Sequence, residues 1–226
     1  MYRPERCVRC GMCAEICFAG AMVTSGQLMS VDEVMAEILQ DKAYYCSSGG
    51  GVTLSGGEVC CQAAFAEELT DACHEERIPV GIETNLSLPW EKIKNLIGKV
   101  DLVMCDLKIA DSDEHKKWTG AGCELIKHNL LRLGSLGKPY IVRTPMIPGA
   151  TDSEENVAAI AAFLRTADQK GNMMHYELLN FNPLGETKYR SLMMKNIFEG
   201  ARPLSEARMR RLQAVAKEQG VKTRIE

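Results

Sequence analysis

The sequence of 226 residues has few aromatic side chains, no surplus of positive charge and no long apolar run. Its 27 Lys and Arg residues stand against 30 Asp and Glu, so the formal net charge is −3. A protein that binds nucleic acid or an anionic membrane usually carries a basic patch, and none stands out here. No apolar run approaches the roughly 18 residues that a membrane span needs. We therefore expect neither a nucleic-acid partner nor a membrane partner.

No secretory signal peptide precedes Cys7, although the chain holds ten cysteines. A secreted protein with so many cysteines would be held by disulfides, whereas a chain without an export signal is expected to keep its thiols reduced. We therefore expect a cytoplasmic protein. The cysteines beyond residue 17 are expected to be core thiols: Cys46, Cys60, Cys61, Cys73, Cys105 and Cys123.

The first four cysteines form a ladder made of Cys7, Cys10, Cys13 and Cys17. Their spacing, C-x2-C-x2-C-x3-C, matches the bacterial ferredoxin run that holds [4Fe–4S] clusters. In two-cluster ferredoxins the fourth cysteine of a run binds the other cluster, so the first three predict one site and Cys17 indicates a second. A zinc knuckle or a disulfide stays open as an alternative, although zinc sites usually show two separated pairs and these thiols are crowded for disulfide geometry.

Beyond residue 28 the apolar pattern alternates between helix and strand. Helices are expected near 31–39, 62–77, 90–97, 125–136, 154–164 and 204–219. Ser30 and Glu33 form a capping box before the first of them, and Thr151 is expected to cap the fifth. Strands are expected near 52–54, 80–83, 102–107, 140–147, 176–181 and 221–225, the fourth of them broken by Pro145. Repeated strand–helix units predict an α/β fold with a parallel sheet and right-handed crossovers. Because the first of these elements is a helix, a closed barrel would lack its first strand.

Polar residues cluster where the predicted strands end. They are Glu58, Glu83 to Asn85, Asp106 with Lys108, Arg143 and Asn182. The carboxyl ends of parallel strands carry the functional site in α/β folds. Since several strands contribute a polar group each, the pattern favours a barrel over an open sheet with a single switch point.

A glycine run over residues 49–58 reads GGGVTLSGGE. A strand that ends in Gly56 and Gly57 lets a ligand approach the backbone closely, and Glu58 then offers a carboxylate to an ammonium group. The Walker A pattern of phosphate-binding loops is absent, and without it the LSGG string does not indicate an ABC ATPase. An ordinary tight turn stays open as the structural alternative.

Seven pieces of the sequence, taken in order, resemble the glycyl-radical-enzyme activating enzymes, which are radical SAM proteins typified by pyruvate formate-lyase activase. They are the cysteine ladder, the segment 29–34, the glycine run with its GGE end, the segment 83–85, Asp106 with Lys108, Arg143 with the segment 147–149, and the segment 178–189. The resemblance implies an incomplete parallel (β/α)6-type radical SAM barrel that lacks its first strand, over residues 29–226. It also implies a partial ferredoxin-like [4Fe–4S] segment over residues 1–28.

In that family a [4Fe–4S] cluster and S-adenosylmethionine (SAM) generate a radical that abstracts hydrogen from a glycine of a partner enzyme. The resemblance implies that Gly56, Gly57 and Glu58 hold the methionine amino group. Thr84 and Asp106 match positions near SAM, and Lys108 and Arg143 match residues that meet its carboxylate or ribose. Asn182 stands where many members have a ribose-contacting histidine. The implied partners are a glycyl radical enzyme and an electron donor such as flavodoxin or ferredoxin.

Each of these residues also has a plainer interpretation. Asp106 and Lys108 could form an ordinary ion pair at a strand end, and Arg143 could be an exposed strand residue. The four histidines are expected to be solvated: His74, His115, His128 and His175.

One family motif is missing from the sequence. The radical cluster of the family is held by C-x3-C-x2-C, and no such triplet occurs in these 226 residues, since Cys13-x3-Cys17 is followed by Gly20. We therefore expect a fragment of an activating enzyme that begins inside the ferredoxin-like insert, has no catalytic cysteines and is inactive alone. The alternative is a non-catalytic iron–sulfur electron-transfer or interaction module derived from the same family.

Overall fold

A computed structural model describes residues 4–226 of the chain. Six parallel strands form one sheet, in the spatial order β1-β2-β3-β4-β5-β6. They are β1 (Val52–Leu54), β2 (Val80–Thr84), β3 (Leu102–Asp106), β4 (Tyr140–Met146), β5 (Met173–Asn180) and β6 (Thr223–Ile225). β1 and β6 are the two edges of the described sheet, so it does not close. The predicted α/β class and the incomplete parallel barrel are confirmed.

Helices precede and connect the strands. They are α1 (Met12–Glu15), α2 (Val31–Ile38), α3 (Lys42–Ser48), α4 (Ala63–Glu75), α5 (Trp90–Lys99), α6 (Ser112–Thr119), α7 (Glu124–Leu136), α8 (Glu154–Ala167), α9 (Glu186–Ser191) and α10 (Glu206–Glu218). The sequence pattern did not predict α1, α3, α6 or α9, which are short and bury few or none of their residues. No helix within residues 4–226 is long and apolar enough to cross a bilayer.

The strands have two unlike faces because successive side chains of a strand alternate. One face packs under the helices and is fully buried, as shown by Ile82, Val103, Val142 and Leu178, each with 0% exposure. The other face carries polar residues that become neighbours through the register. In that register Asp106 of β3 lies beside Arg143 of β4, and Arg143 lies beside Glu177 of β5.

Two local predictions need correction. Thr151 does not cap α8; the cap is Ser153, whose side chain accepts a hydrogen bond from the backbone N–H of Asn156. Thr151 is buried and donates instead to the Pro145 carbonyl. Pro145 does not break its strand either, since β4 continues through it and pairs it with Leu179.

The expectation that all six later cysteines are core thiols is partly wrong. Cys60, Cys73, Cys105 and Cys123 are buried as expected, but Cys46 and Cys61 are exposed. Cys46 lies on α3, a helix that buries none of its residues. Cys61 neighbours the buried Cys60 within the 3-10 turn Val59–Gln62, so the two point to different environments. Burial raises the pKa of Cys60 to about 12.

Candidate functional site

The cysteine ladder surrounds a hollow of about 590 Å³. Cys7, Cys10 and Cys13 all line this hollow, together with apolar side chains such as Ile16. Cys17 does not line it, and its Sγ accepts a hydrogen bond from the Met22 backbone N–H at 3.3 Å. The three thiols that the ferredoxin pattern assigns to one site therefore share one hollow.

Gly11 makes the turn between the second and third cysteines of the ladder. Its φ is +79°, a left-handed conformation that glycine adopts without strain. Among the described residues, no three His, Cys, Asp or Glu side chains lie close enough together to bind one metal ion. The donors are nevertheless soft thiols, the ligand type that iron–sulfur clusters require. The ladder thus fits a cluster in the chemistry of its donors.

The glycine strand end follows β1 and is fixed by the carboxylate of Glu58. Oε1 of Glu58 accepts hydrogen bonds from Thr84 Oγ1 at 2.7 Å and from the Cys60 backbone N–H at 3.0 Å. Oε2 accepts one from the Asn85 backbone N–H at 2.8 Å. Gly56 before it has a φ of +137°, which an L side chain rarely adopts. Glu58 therefore ties the end of β1 to the end of β2.

A cavity of about 660 Å³ opens beside this strand end. Gly56, Gly57 and Glu58 form part of its wall, and Phe65 and Leu69 of α4 form an apolar part. No atom lies within 4 Å of a Cβ built on Gly56 or Gly57, so the backbone there is open to a ligand. The glycine strand end therefore combines an accessible backbone with an apolar wall.

Asp106 and Lys108 lie at the end of β3 and form an ion pair, with 2.9 Å between Lys108 Nζ and Asp106 Oδ2. Both side chains remain about one-third exposed, at 35% and 32%. They line a pocket of about 150 Å³ whose wall also includes Asn85 and His115. The ion pair that the sequence left as an alternative is present, and it borders a pocket.

His115 is one of two histidines whose predicted solvation is wrong. It is buried on α6, with only 4% exposure, and its Nδ1 lies 2.7 Å from the Ala121 carbonyl oxygen. Since a carbonyl can only accept, Nδ1 carries the proton and Nε2 is left as an acceptor. Nε2 has no hydrogen-bond partner within residues 4–226, and His115 lines the small pocket.

His175 is the second buried histidine, at 3% exposure on β5, whereas His74 and His128 are exposed as expected. Its Nε2 lies 3.3 Å from Glu177 Oε1. No local pattern in the sequence indicated this burial, which follows from the pairing of β5 with β4.

Arg143 is not an exposed strand residue, since its side chain is only 19% accessible. Its NH1 donates to Glu83 Oε1 at 2.6 Å, and its Nε lies 3.2 Å from Glu177 Oε2. Burial by itself would lower the pKa of Arg143, but the hydrogen bond to Glu83 and the charges of Glu83, Glu177 and Asp106 raise it above its ordinary value. The guanidinium is a fixed positive charge that projects from the middle of β4, beside the end of β3.

Asn182 stands apart from the other predicted site residues. It is exposed, and its Oδ1 accepts a hydrogen bond from the backbone N–H of Leu184 at 3.1 Å, capping the 3-10 turn Pro183–Gly185. Within residues 4–226 it makes no hydrogen bond to the residues at the ends of β1 to β4.

Glu177 is the charged site residue that sequence reasoning missed.

The chain matches the family model of the Radical SAM superfamily over residues 6–161. It is 40% identical over 176 residues to the (2S)-3-sulfopropanediol dehydratase activating enzyme of Klebsiella oxytoca, covering 76% of this chain and 55% of that protein. It is 35% identical over 224 residues to the indoleacetate decarboxylase activating enzyme of Tractidigestivibacter scatoligenes, covering 96% of this chain and 69% of that protein. The chain thus spans 55% and 69% of the length of these two relatives.

Solved structures show the same fold. A domain of pyruvate-formate lyase-activating enzyme from Bacteroides vulgatus ATCC 8482 superposes with a TM-score of 0.65 at 25% identity, covering 78% of this chain and 99% of that one. Streptococcus suis SuiB superposes with a TM-score of 0.67 at 17% identity, covering 88% of this chain and 44% of that one. The chain belongs to the radical SAM superfamily and, within it, to the glycyl-radical-enzyme activating enzymes.

Proposed function

We propose that this chain binds SAM at the carboxyl ends of its strands, as part of the machinery that generates a glycyl radical on a partner enzyme. The observation that carries the proposal is the convergence of polar groups from three strand ends and from the middle of β4. Glu58 after β1 bonds to Thr84 of β2, Lys108 bonds to Asp106 at the end of β3, and Arg143 of β4 lies beside Asp106 in the sheet.

The strand ends offer complementary chemistry for the amino-acid part of SAM. The open backbone at Gly56 and Gly57, with the carboxylate of Glu58, suits an ammonium group. Lys108 and Arg143 suit a carboxylate or a ribose hydroxyl, because charge-assisted hydrogen bonds to such groups are strong. Glu58 already accepts three hydrogen bonds from the protein, so its carboxylate first of all fixes the conformation of the loop after β1.

His115 adds an imidazole to the same region. Its Nδ1 is engaged by the Ala121 carbonyl, and we propose that Nε2 is left for a group that enters the small pocket beside Lys108. A hydroxyl or an amine can donate to it. Asn182 has no comparable support, and its proposed contact with ribose rests on its position in the sequence alone.

The cysteine ladder is proposed to hold an auxiliary [4Fe–4S] cluster, with Cys7, Cys10 and Cys13 as ligands of one cluster and Cys17 as a ligand of another. Such a cluster, when bound, supplies electron transfer. The proposed electron donor is a flavodoxin or a ferredoxin, and the proposed location is the cytoplasm. Residues 1–28 and 29–226 are proposed as the two parts of the chain.

A second candidate function is a non-catalytic iron–sulfur electron-transfer or interaction module. The sequence favours it in one respect, because the ladder is present whereas the C-x3-C-x2-C triplet of the radical cluster does not occur among the ten cysteines. SAM binding separates the two candidates, because the module needs none.

Calorimetry with SAM tests the proposal. Two or three charge-assisted hydrogen bonds of about 1.5–3 kcal/mol each supply at most about 9 kcal/mol against an association cost of about 4–15 kcal/mol, so we expect a Kd in the millimolar range or weaker. Lys108→Ala should abolish detectable binding, and Lys94→Ala, on the exposed surface of α5, should leave it unchanged. Equal heats from all three proteins would contradict the proposal and favour the module.

A further inference from the structure

A continuous chain of polar contacts crosses the open face of the sheet from β1 to β5. The carboxylate of Glu83 is its centre, because each of its oxygens serves a different partner. Ser55 Oγ donates to Oε2 at 2.7 Å, and Arg143 NH1 donates to Oε1 at 2.6 Å. Ser55 immediately precedes Gly56 and Gly57. A single carboxylate thus joins the glycine strand end to the guanidinium.

The guanidinium of Arg143 is held on a second side by Glu177. Nε lies 3.2 Å from Glu177 Oε2, although its hydrogen is not directed well enough at that oxygen for a hydrogen bond. Glu177 is only 14% exposed and is itself backed by His175. NH2 is the remaining nitrogen of Arg143; it has no partner within residues 4–226 and is not sealed from solvent.

We infer that Glu83 is a positioning residue: it fixes Arg143 relative to the Ser55–Gly57 turn, so that the free NH2 edge of the guanidinium and the open glycine backbone face the same ligand. The inference rests on the proposed function for the identity of that ligand, SAM. A long arginine side chain has many rotamers, and a ligand that had to order it would bind more weakly. Two carboxylates order it before the ligand arrives.

Asp106 is a third carboxylate next to Arg143. Asp106 lies beside Arg143 in the register of β3 and β4 and contributes to its electrostatic environment. Without Glu83 the guanidinium is free to turn toward Asp106 and compete with Lys108 for that carboxylate. Glu83 therefore also protects the Asp106–Lys108 pair.

Nuclear magnetic resonance of the Arg143 side chain tests the positioning directly. In the wild-type protein we expect slow rotation of the guanidinium, because NH1 is hydrogen-bonded to Glu83 and Nε lies in an ion pair with Glu177. Glu83→Ala should give rapid, averaged rotation and should shift the amide signals of Gly56 and Gly57. Glu91→Ala is the matched control, since Glu91 is an exposed carboxylate whose ion-pair partner within residues 4–226 is Lys94, and it should change neither signal.

Two further variants keep the test decisive. Ser55→Ala removes one contact from Glu83 without leaving a charge unpaired, so it serves if Glu83→Ala does not fold; it should shift the Gly57 amide and broaden the Arg143 signal. Glu83→Gln keeps an acceptor and should restore part of the order. The inference is overturned if the Arg143 signals are unchanged in Glu83→Ala, even if the thermal stability of that variant falls. If Glu83→Ala does not fold, unchanged Arg143 signals in Ser55→Ala overturn it.

SAM titration supplies a second readout. Glu83→Ala should weaken SAM binding about tenfold, whereas Glu91→Ala should not change it. If the wild-type protein binds no SAM, the proposed function fails, but the order of the Arg143 side chain still decides whether Glu83 positions it. If SAM binds equally well to Glu83→Ala, the positioning has no consequence for the ligand and the inference is overturned.

Discussion

Thr84 Oγ1 donates a 2.7 Å hydrogen bond to Glu58 Oε1, although the two residues are separated by 26 positions in the sequence. Thr84 is 5% exposed, and its hydroxyl also accepts a hydrogen bond from the Leu86 backbone N–H. One buried hydroxyl therefore connects the glycine strand end, the end of β2 and the loop that follows it.

Replacement of this hydroxyl should destabilise the protein. Thr84→Val keeps the shape but removes a donor from a carboxylate and an acceptor from a backbone N–H, so we expect a loss of about 1.5–3 kcal/mol in the free energy of unfolding. Urea denaturation measures it. Thr166→Val on the exposed side of α8 is the control and should cost much less. Equal midpoints for the two variants would show that the Glu58–Thr84 bond does not stabilise the fold.

The cysteines of the ladder should differ in how strongly their replacement affects cluster assembly when the protein is reconstituted with iron and sulfide under anaerobic conditions. Cys10→Ser removes a thiol that lines the shared hollow and should abolish the visible absorption of a [4Fe–4S] cluster. Cys17→Ser changes a thiol outside the hollow and should retain most of that absorption. Cys46→Ser, at an exposed site on α3, is the control. Loss of the cluster in Cys17→Ser would place all four thiols on one cluster.

The chain alone should not cleave SAM reductively. The ligand triplet C-x3-C-x2-C that holds the radical cluster in this family does not occur in the sequence. After reconstitution and reduction with dithionite, we expect no 5′-deoxyadenosine above the level of a sample without a cluster. Chromatography with mass detection measures the product. A clear excess of product would mean that other cysteines of this chain support the chemistry.

The stability that Glu83 contributes should depend on pH. Hydrogen bonds from Ser55 and Arg143 hold the pKa of Glu83 below its ordinary value of 4.5. A depressed pKa means that the contribution is fully present above the unfolded value and is lost as the pH falls through the folded one. The difference in urea midpoint between the wild type and Glu83→Gln should therefore be larger at pH 6.5 than at pH 3.5. A constant difference would contradict this linkage.

Much of the fold follows from local patterns in the sequence. The apolar run of β3 and the capping box at Ser30 are local signals, and the structure has both elements where they were expected. Helix α6 was missed because half of its residues are charged and it buries only His115, so it has no periodic apolar face. Its first turn is capped by Asp111, whose side chain accepts a hydrogen bond from the Glu114 backbone N–H, and its Trp118 stacks on Phe198.

The candidate site likewise has residues that local patterns predict and residues that they miss. Glu58, Asp106 and Lys108 stand at or just after strand ends, so the alternation of strands and helices was enough to predict that they lie at one edge of the sheet. Arg143 and Glu177 lie inside β4 and β5, 34 positions apart in the sequence, and no local pattern pairs them. Only the register of β4 and β5 brings the two together.

The order of the strands in the sheet is also their order along the chain. Each strand after the first is therefore added beside the strand that the ribosome made just before it, and none must wait for a partner that is synthesised much later. Loop-closure entropy stays small at every step, since each new pairing spans only one or two helices. The sheet can grow in a single direction during translation, and a ribosome stalled after β4 would expose a four-stranded sheet that is already in its native arrangement.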